Sequence, residues 1–250
     1  MFYSSKTQGV IKKMENTEKT KDQLVEELKE VRKEITELEN VKVKSDKIGE
    51  KLSWSYIKLS DIMEEIAHII TKVVEMRDPY LKGHQQGVSK LATAIAQEMK
   101  LSRDKIESIR FTALVHDVGK INLPIKIVNN TSKLGKEEYD FIKNHSKISY
   151  YILKTVDFPW LIAEIAYQHH ERIDGSGYPR GLKGDEILME AKIIGVADVI
   201  EAMLSHRPYR SAYNIKEVLE EISKNREILY EPVVVDTCLK LFREKGFKFK

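Results

Sequence analysis

Residues 102–120, S-R-D-K-I-E-S-I-R-F-T-A-L-V-H-D-V-G-K, carry the pattern from which the fold of the chain can be predicted. Ser102 is a typical N-cap residue, and apolar side chains follow it at helical spacing as far as His116 and Asp117. Gly119 stands where a helix commonly ends. The stretch therefore predicts a helix with a histidine–aspartate pair at its carboxyl end.

Helical spacing of apolar residues recurs on both sides of this stretch. Residues 62–77 place Ile62, Ile66, Ile69, Ile70, Val73 and Val74 at helical intervals, which predicts a broad buried face. Further helices are predicted up to His170 and again from Ala191. Residues 175–184, in contrast, contain five Gly or Pro residues, too many for a regular element. No long stretch alternates apolar and polar residues, so the predicted fold is an all-α bundle.

The N-terminal part of the chain has a different composition, because Lys and Glu alternate densely in residues 15–50. Its apolar residues Leu24, Leu28, Val31, Ile35 and Leu38 follow a four-three spacing. That spacing predicts a short coiled coil of about two heptads. Its role is either dimerisation and signalling or packing against its own domain. We predict a helical or coiled-coil segment over residues 1–55, a domain over 56–250, and a homodimer.

Composition excludes several functional classes. The net charge of the 250-residue chain is only +3, which argues against a partner that is a nucleic acid polymer. No apolar run approaches the roughly 20 residues of a membrane span. The start of the chain lacks the apolar core of a secretory signal. Cys238 lies among apolar residues and is predicted to be a small buried side chain. We therefore expect a cytoplasmic protein.

Histidines and aspartates point to a metal site. Five of the seven histidines and two aspartates fall in short motifs: His84, His116, Asp117, His145, His169, His170 and Asp198. Imidazole suits Fe or Mn, and a carboxylate can bridge two ions. Asp198 lies in an apolar run, where an unpaired carboxylate would be costly. We predict two divalent ions, Fe or Mn, in a phosphohydrolase.

Some of these histidines could have structural roles instead of binding metal. His84 alone would be a hydrogen-bonded surface histidine, and His169 with His170 could interact with a helix terminus. The other two histidines, His68 and His206, are not predicted to bind metal.

Three strings resemble the signature blocks of the HD-GYP family, bacterial phosphodiesterases that degrade cyclic di-GMP. They are H-D-V-G-K (116–120), H-H-E-R-I-D-G-S-G-Y-P-R-G-L (169–182) and A-D-V-I-E-A-M-L-S-H-R-P-Y-R (197–210). The second is too long to arise easily by chance. The resemblance covers roughly residues 60–245 and implies an HD-type helical bundle. It also implies one ion held by His84, His116, Asp117 and Asp198, and a second held by Asp117, His145, His169 and His170.

Substrate contacts are also suggested. Asp117 and Lys120 are the predicted catalytic residues, with Lys120 contacting a phosphate oxygen; its alternative is a solvated lysine. Arginine suits phosphate or guanine edges, which makes Arg207 and Arg210 candidate contacts unless they pair with loop acids. The resemblance implies that a loop shapes the cyclic dinucleotide pocket and offers a surface to a diguanylate cyclase. The loop residues are Asp174, Gly175, Gly177, Tyr178 and Pro179.

The implied reaction is hydrolysis of cyclic di-GMP to pGpG; whether the end product is pGpG or GMP is left open by the sequence. Two alternatives stay open. One is a sensor or cyclase-docking module with weak catalysis, from which the loss of at least one metal ligand is expected. The other is a hydrolase of another cyclic dinucleotide, such as cyclic GMP-AMP.

The chain departs from the family pattern at four positions. Some relatives bind a third metal through a glutamate four residues before the first histidine, where this chain has Tyr80. Tyrosine is a poor ligand there, so two ions are predicted. Gly87 replaces an arginine, Ser149 a glycine and Glu201 an aspartate. None of these changes removes a predicted ligand.

Overall fold

The computed structural model describes residues 19–78, 81–128, 135–206 and 211–249. The chain divides into two units, one ending at Asp61 and a compact one beginning at Ile62. Helix α1 (Lys21–Arg77) contributes residues to both. In the first unit, the seam side chains from Leu24 to Leu38 are between 48% and 68% exposed.

In the residues that the structure describes, the compact unit is built of helices, with a long glycine-rich loop after residue 170. The described residues contain no strand, which confirms the predicted all-α fold. After α1 the helices are α2 (His84–Glu98), α3 (Arg103–Val115), α4 (Ile125–Val128), α5 (Lys136–Leu153), α6 (Ile162–Gln168), α7 (Met189–Leu204), α8 (Ile215–Lys224) and α9 (Pro232–Arg243). Val118–Asn122 and Gly184–Glu186 form 3-10 turns. No helix in the described ranges is both long and apolar enough to cross a membrane.

Helix α3 is the central helix of the compact unit. Ile109 and Ala113 belong to a core cluster shared with α2, α7, α8 and α9, whereas Phe111 and Leu114 belong to a second cluster shared with α1, α5 and α6. Because α3 buries residues on both sides, its carboxyl end lies in the protein interior. That end carries the histidine–aspartate pair.

The predicted start of α3 is confirmed. Ser102 has extended backbone angles, and its hydroxyl oxygen accepts a hydrogen bond from the Lys105 N–H. His116 is the C-cap residue. Cys238 is also buried as predicted, and this burial raises the pKa of its thiol to about 12.

The prediction of a broad buried face on residues 62–77 was wrong. Of the six predicted residues, Ile62, Ile66, Ile69 and Val73 are exposed, Ile70 is partly buried, and only Val74 is buried, in a narrow stripe with Ala67 and Thr71. The Thr71 hydroxyl donates a 2.9 Å hydrogen bond to the carbonyl oxygen of Leu114, which brings this stripe against α3. Neighbouring helices cover only one stripe of residues 62–77, so most of the other apolar side chains of this segment are exposed to solvent.

Candidate metal centre

The predicted ligands converge where several helices begin or end. The His116–Asp117 pair follows α3, the His169–His170 pair follows α6, and His84 begins α2. His145 and Asp198 project from within α5 and α7. The ligand atoms form two groups, each with atoms within 4.8 Å of one another: Asp117, His145, His169 and His170; and His84, His116 and Asp198. The structure thus brings together all seven side chains.

Asp117 lies between the two groups, with one oxygen turned toward each. Its Oδ1 is 3.2 Å from His145 Nε2 and 3.8 Å from His169 Nε2. Its Oδ2 is 3.3 Å from His116 Nε2 and 3.9 Å from His84 Nε2. This is the geometry that a carboxylate bridging two ions requires.

Three histidines have their ring orientation fixed in the same way. The Nδ1 atoms of His116, His145 and His169 each bond the backbone carbonyl oxygen three residues earlier, at 2.7, 2.6 and 2.6 Å. A carbonyl only accepts, so Nδ1 carries the proton and Nε2 presents a lone pair. Such outer hydrogen bonds are typical of metal-ligating histidines.

Several of the inward-facing atoms lack partners. Seven buried side-chain atoms in the described part of the chain make no hydrogen bond, and four of them belong to the cluster: His84 Nε2, His116 Nε2, His169 Nε2 and Asp117 Oδ1. Leaving buried polar atoms unpaired is costly, and native structures rarely do so without a bound ion or water. These orphaned atoms fit a bound cation.

The protonation states of Asp117, His169 and His170 also suit a cation. Burial, together with the neighbouring imidazole of His116, lowers the pKa of His169 to about 3, and burial together with the imidazole of His169 lowers the pKa of His170. Burial alone would raise the pKa of Asp117, but Lys120 and the imidazole of His116 hold it well below its usual range. Neutral imidazoles beside an ionised carboxylate are the forms that bind metals.

Glu201 was missed as a site residue. One of its carboxylate oxygens contacts His84 Nδ1, and the other accepts a 2.7 Å hydrogen bond from the Ser205 hydroxyl. A Cβ at Gly87 would lie 2.7 Å from Glu201 Cγ. The two departures therefore fit together, since the missing side chain at Gly87 leaves room for Glu201 to reach His84.

The contact with Glu201 gives a prediction for metal binding. Burial alone would lower the pKa of His84, but the carboxylates of Asp198 and Glu201 outweigh this and raise it to about 9. Metal binding needs neutral imidazole. Binding of Mn²⁺ to metal-free protein at pH 7.5 should therefore release the His84 proton, and affinity should increase with pH up to about 9.

Calorimetry in two buffers of different ionisation enthalpy measures this proton release. The release should be smaller in Glu201→Gln, which removes one of the two charges that hold the proton. Equal heats in both buffers for the unmodified protein would contradict the prediction.

Glycines allow close backbone approach around the cluster. A Cβ at Gly119 would lie 2.1 Å from the carbonyl oxygen of His145, and a Cβ at Gly195 would lie 2.7 Å from that of His169. The Ser149 hydroxyl accepts a 2.9 Å hydrogen bond from the Gly119 N–H. Ser149 thus ties the turn after Asp117 to α5.

The glycine-rich loop is held by a buried carboxylate that sequence reasoning did not single out. Glu171 accepts hydrogen bonds from the backbone N–H groups of Arg180 (2.7 Å) and Leu182 (3.0 Å). Gly177 passes so close that a Cβ there would lie 2.4 Å from Arg172 N. The only signal in the sequence was the position of this glutamate directly after the histidine pair.

The loop places Tyr178 beside the cluster. Its ring centroid is 4.6 Å from that of His170. Burial and the charge of Asp198 raise the pKa of Tyr178, so the phenol stays neutral and can donate a hydrogen bond. Asp174 and Ser176 are exposed and bond each other, and the Tyr178–Pro179 peptide is cis.

Of the other residues considered in the sequence, some are described by the structure and some are not. Lys120 is largely buried, and its ammonium group contacts Asp117 Oδ2. Among the described residues, His68 and His206 belong to neither group of potential ligands. Tyr80, Arg207 and Arg210 lie outside the described residues.

A model of the HD domain family matches residues 68–234 of the chain. A cyclic di-GMP phosphodiesterase of Thermotoga maritima is 40% identical over 191 residues, which are 76% of this chain and 52% of that protein. A 3'3'-cGAMP-specific phosphodiesterase of Vibrio cholerae is 39% identical over 154 residues, covering 62% and 36%. The chain therefore spans about half of the first relative and less of the second.

A solved HDG"Y"P protein from Bdellovibrio bacteriovorus has a similar fold. The TM-score is 0.56 with 17% sequence identity, over 74% of this chain and 64% of that one. At this identity the likeness concerns the fold alone.

Proposed function

The chain is a member of the HD domain family, in its HD-GYP group, and on that premise we propose that it hydrolyses cyclic di-GMP with two bound metal ions. The observation that carries the proposal is Asp117, whose two oxygens face two separate groups of potential ligands. A degenerate sensor would be expected to lack part of such a set, so the complete set favours an enzyme.

The proposed ligands follow the two groups. His84, His116, Asp117 and Asp198 would hold one ion, and Asp117, His145, His169 and His170 the other. Fe or Mn suits this mixture of imidazole and carboxylate. When bound, a pair of such ions lowers the pKa of water and neutralises phosphoryl oxygens during in-line displacement.

The chain itself would contribute positioning and charge. Asp117 stays ionised because Lys120 and His116 lower its pKa. Lys120, already at the edge of the cluster, is proposed to turn its ammonium toward a non-bridging phosphate oxygen. Tyr178 offers a neutral hydroxyl, and Glu171 fixes the loop that carries it. We also propose Asp174, Gly175, Gly177 and Pro179 as the pocket wall, with Arg207 and Arg210 as substrate contacts.

Two substrates are candidates, since one relative is named for cyclic GMP-AMP and another for cyclic di-GMP. We favour cyclic di-GMP because the more extensive match carries that name. Incubation of anaerobically purified protein with each dinucleotide, followed by chromatography of the products, distinguishes them. We expect pGpG and then GMP from cyclic di-GMP; faster cleavage of cyclic GMP-AMP would reassign the substrate.

We further propose that the loop over residues 174–179 offers a surface to a diguanylate cyclase. Asp174 and Ser176 support this, because both are exposed at its tip. We also propose that residues 1–55 form the helical or coiled-coil segment and residues 56–250 the catalytic domain.

A homodimer is proposed through α1. About two heptads are marginal for a stable coiled coil, so further contacts are needed. The exposed apolar side chains of Ile62, Ile66, Ile69 and Val73 could make these further contacts with a second copy of the chain.

Replacing Leu28 and Ile35 together by Glu should weaken the dimer and leave the metal content unchanged. Light scattering at tens of micromolar checks this; a monomeric unmodified protein would contradict it.

A further inference from the structure

A row of side chains leads outward from the metal centre to the surface of α5. The ring of Tyr178 packs on that of His170, with 4.6 Å between centroids. The ammonium nitrogen of Lys143 lies 5.7 Å from the Tyr178 centroid and 4.6 Å from the Tyr139 centroid. Both distances are within cation–π range. One charge is therefore shared by two tyrosines at the edge of the site.

This arrangement is more than a pair of helix neighbours. Tyr139 and Lys143 are four residues apart and would meet on any helix. A comparable pair, three residues apart, lies at the end of the same helix, where the ammonium of the C-cap residue Lys154 is 4.8 Å from the Tyr151 ring. What differs is Tyr178, which comes from the glycine-rich loop and contacts a predicted metal ligand. Only the first pair adjoins the site in the part of the chain that the structure describes.

The two side chains on α5 are available to a ligand. Tyr139 is 50% exposed, so much of its ring is open to solvent. Lys143 has a partner in Asp140, 3.2 Å away, but both side chains are partly exposed and such pairs are weak. An ammonium group suits a phosphate oxygen, and a tyrosine ring suits stacking with a nucleobase.

A cyclic dinucleotide has two phosphates and two bases, and the metal centre can engage only the phosphate that is cleaved. The other half of the molecule must lie beside the centre. We propose that Tyr139 and Lys143 form a subsite for this second nucleotide, with its purine base on the Tyr139 ring and its phosphate at the Lys143 ammonium. The inference rests on the proposed function.

The test compares two substrates in matched variants. Tyr139→Ala and Lys143→Ala alter the subsite; Tyr151→Ala, a tyrosine 51% exposed on the same helix, is the control for the first, and Lys154→Ala for the second. The measured quantity is kcat/KM for cyclic di-GMP divided by kcat/KM for bis(4-nitrophenyl) phosphate, which has no purine and no second phosphate. Loss of base stacking should lower this ratio about tenfold in Tyr139→Ala, mainly through KM.

Each outcome has a distinct meaning. A ratio that falls in the subsite variants and stays within about twofold in the controls supports the subsite. A ratio in Tyr139→Ala equal to that in Tyr151→Ala, while the unmodified protein cleaves cyclic di-GMP, overturns the subsite alone. Unmodified protein that cleaves the small diester but leaves cyclic di-GMP intact overturns the proposed function, and the subsite with it.

Discussion

Replacing Asp117 by Ala is expected to abolish turnover and to remove at least one metal ion from the protein. Asp117 Oδ1 faces His145 and His169, and Oδ2 faces His116 and His84, so both proposed ions lose a ligand together. The two positive charges would also lose the carboxylate between them. A loss of about 4 kcal/mol of transition-state stabilisation corresponds to about a thousandfold in rate.

Metal analysis and kinetics on one preparation check this. The exposed Asp157 provides a control, because Asp157→Ala removes a carboxylate remote from the cluster. That variant should keep the metal content and rate of the unmodified protein. Full metal content with near-normal turnover in Asp117→Ala would show that Asp117 does not bridge two ions.

Replacing Gly119 by Ala is expected to destabilise the protein and displace the metal centre. The new Cβ would lie 2.1 Å from the carbonyl oxygen of His145 and 2.6 Å from Ser149 N, and both are backbone atoms that cannot move aside alone. The turn carrying Asp117 must therefore separate from α5. Overpacking of this kind costs about 3 kcal/mol. For a domain of this size the melting temperature should fall by about 6–12 °C.

The matched control is Gly135→Ala. Gly135 precedes the same helix, has an ordinary φ of −72°, and would place its Cβ no closer than 3.6 Å to another side chain. Ala is a poorer N-cap residue than Gly, but at this φ it also lowers the entropy of the unfolded chain, so the two effects nearly offset each other and the melting temperature should change by only about one or two degrees. Thermal unfolding with and without Mn²⁺ measures both effects. A Gly119→Ala variant that melts like Gly135→Ala would contradict the close packing described for this turn.

The sequence predicted the parts of the protein that local patterns determine. The N-cap at Ser102, the helix to His116 and the burial of Cys238 follow from residue types and helical spacing. The seven potential ligands could be named because their motifs are short and distinctive. These features depend on contacts between near neighbours, or on residue types with few alternative roles.

The features that the sequence did not predict depend on contacts between segments that are far apart in the chain. The apolar spacing of residues 62–77 predicts a helix with an apolar face, but it cannot show which stripe its neighbours cover. Gly87 and Glu201 appeared as two separate departures from the family pattern. Only the folded chain shows that a Cβ at Gly87 would press on Glu201, which contacts His84. Likewise, nothing in the spacing of Tyr139 and Lys143 connects them with Tyr178.

The central claim is that two ions, bridged by Asp117, act together on a cyclic dinucleotide. The most direct test titrates Mn²⁺ into anaerobically prepared, metal-free protein and records hydrolysis of cyclic di-GMP against the number of ions bound per chain. We expect turnover to rise until two ions are bound per chain and then to stay constant. Full turnover at one ion, or a requirement for a third, would contradict it.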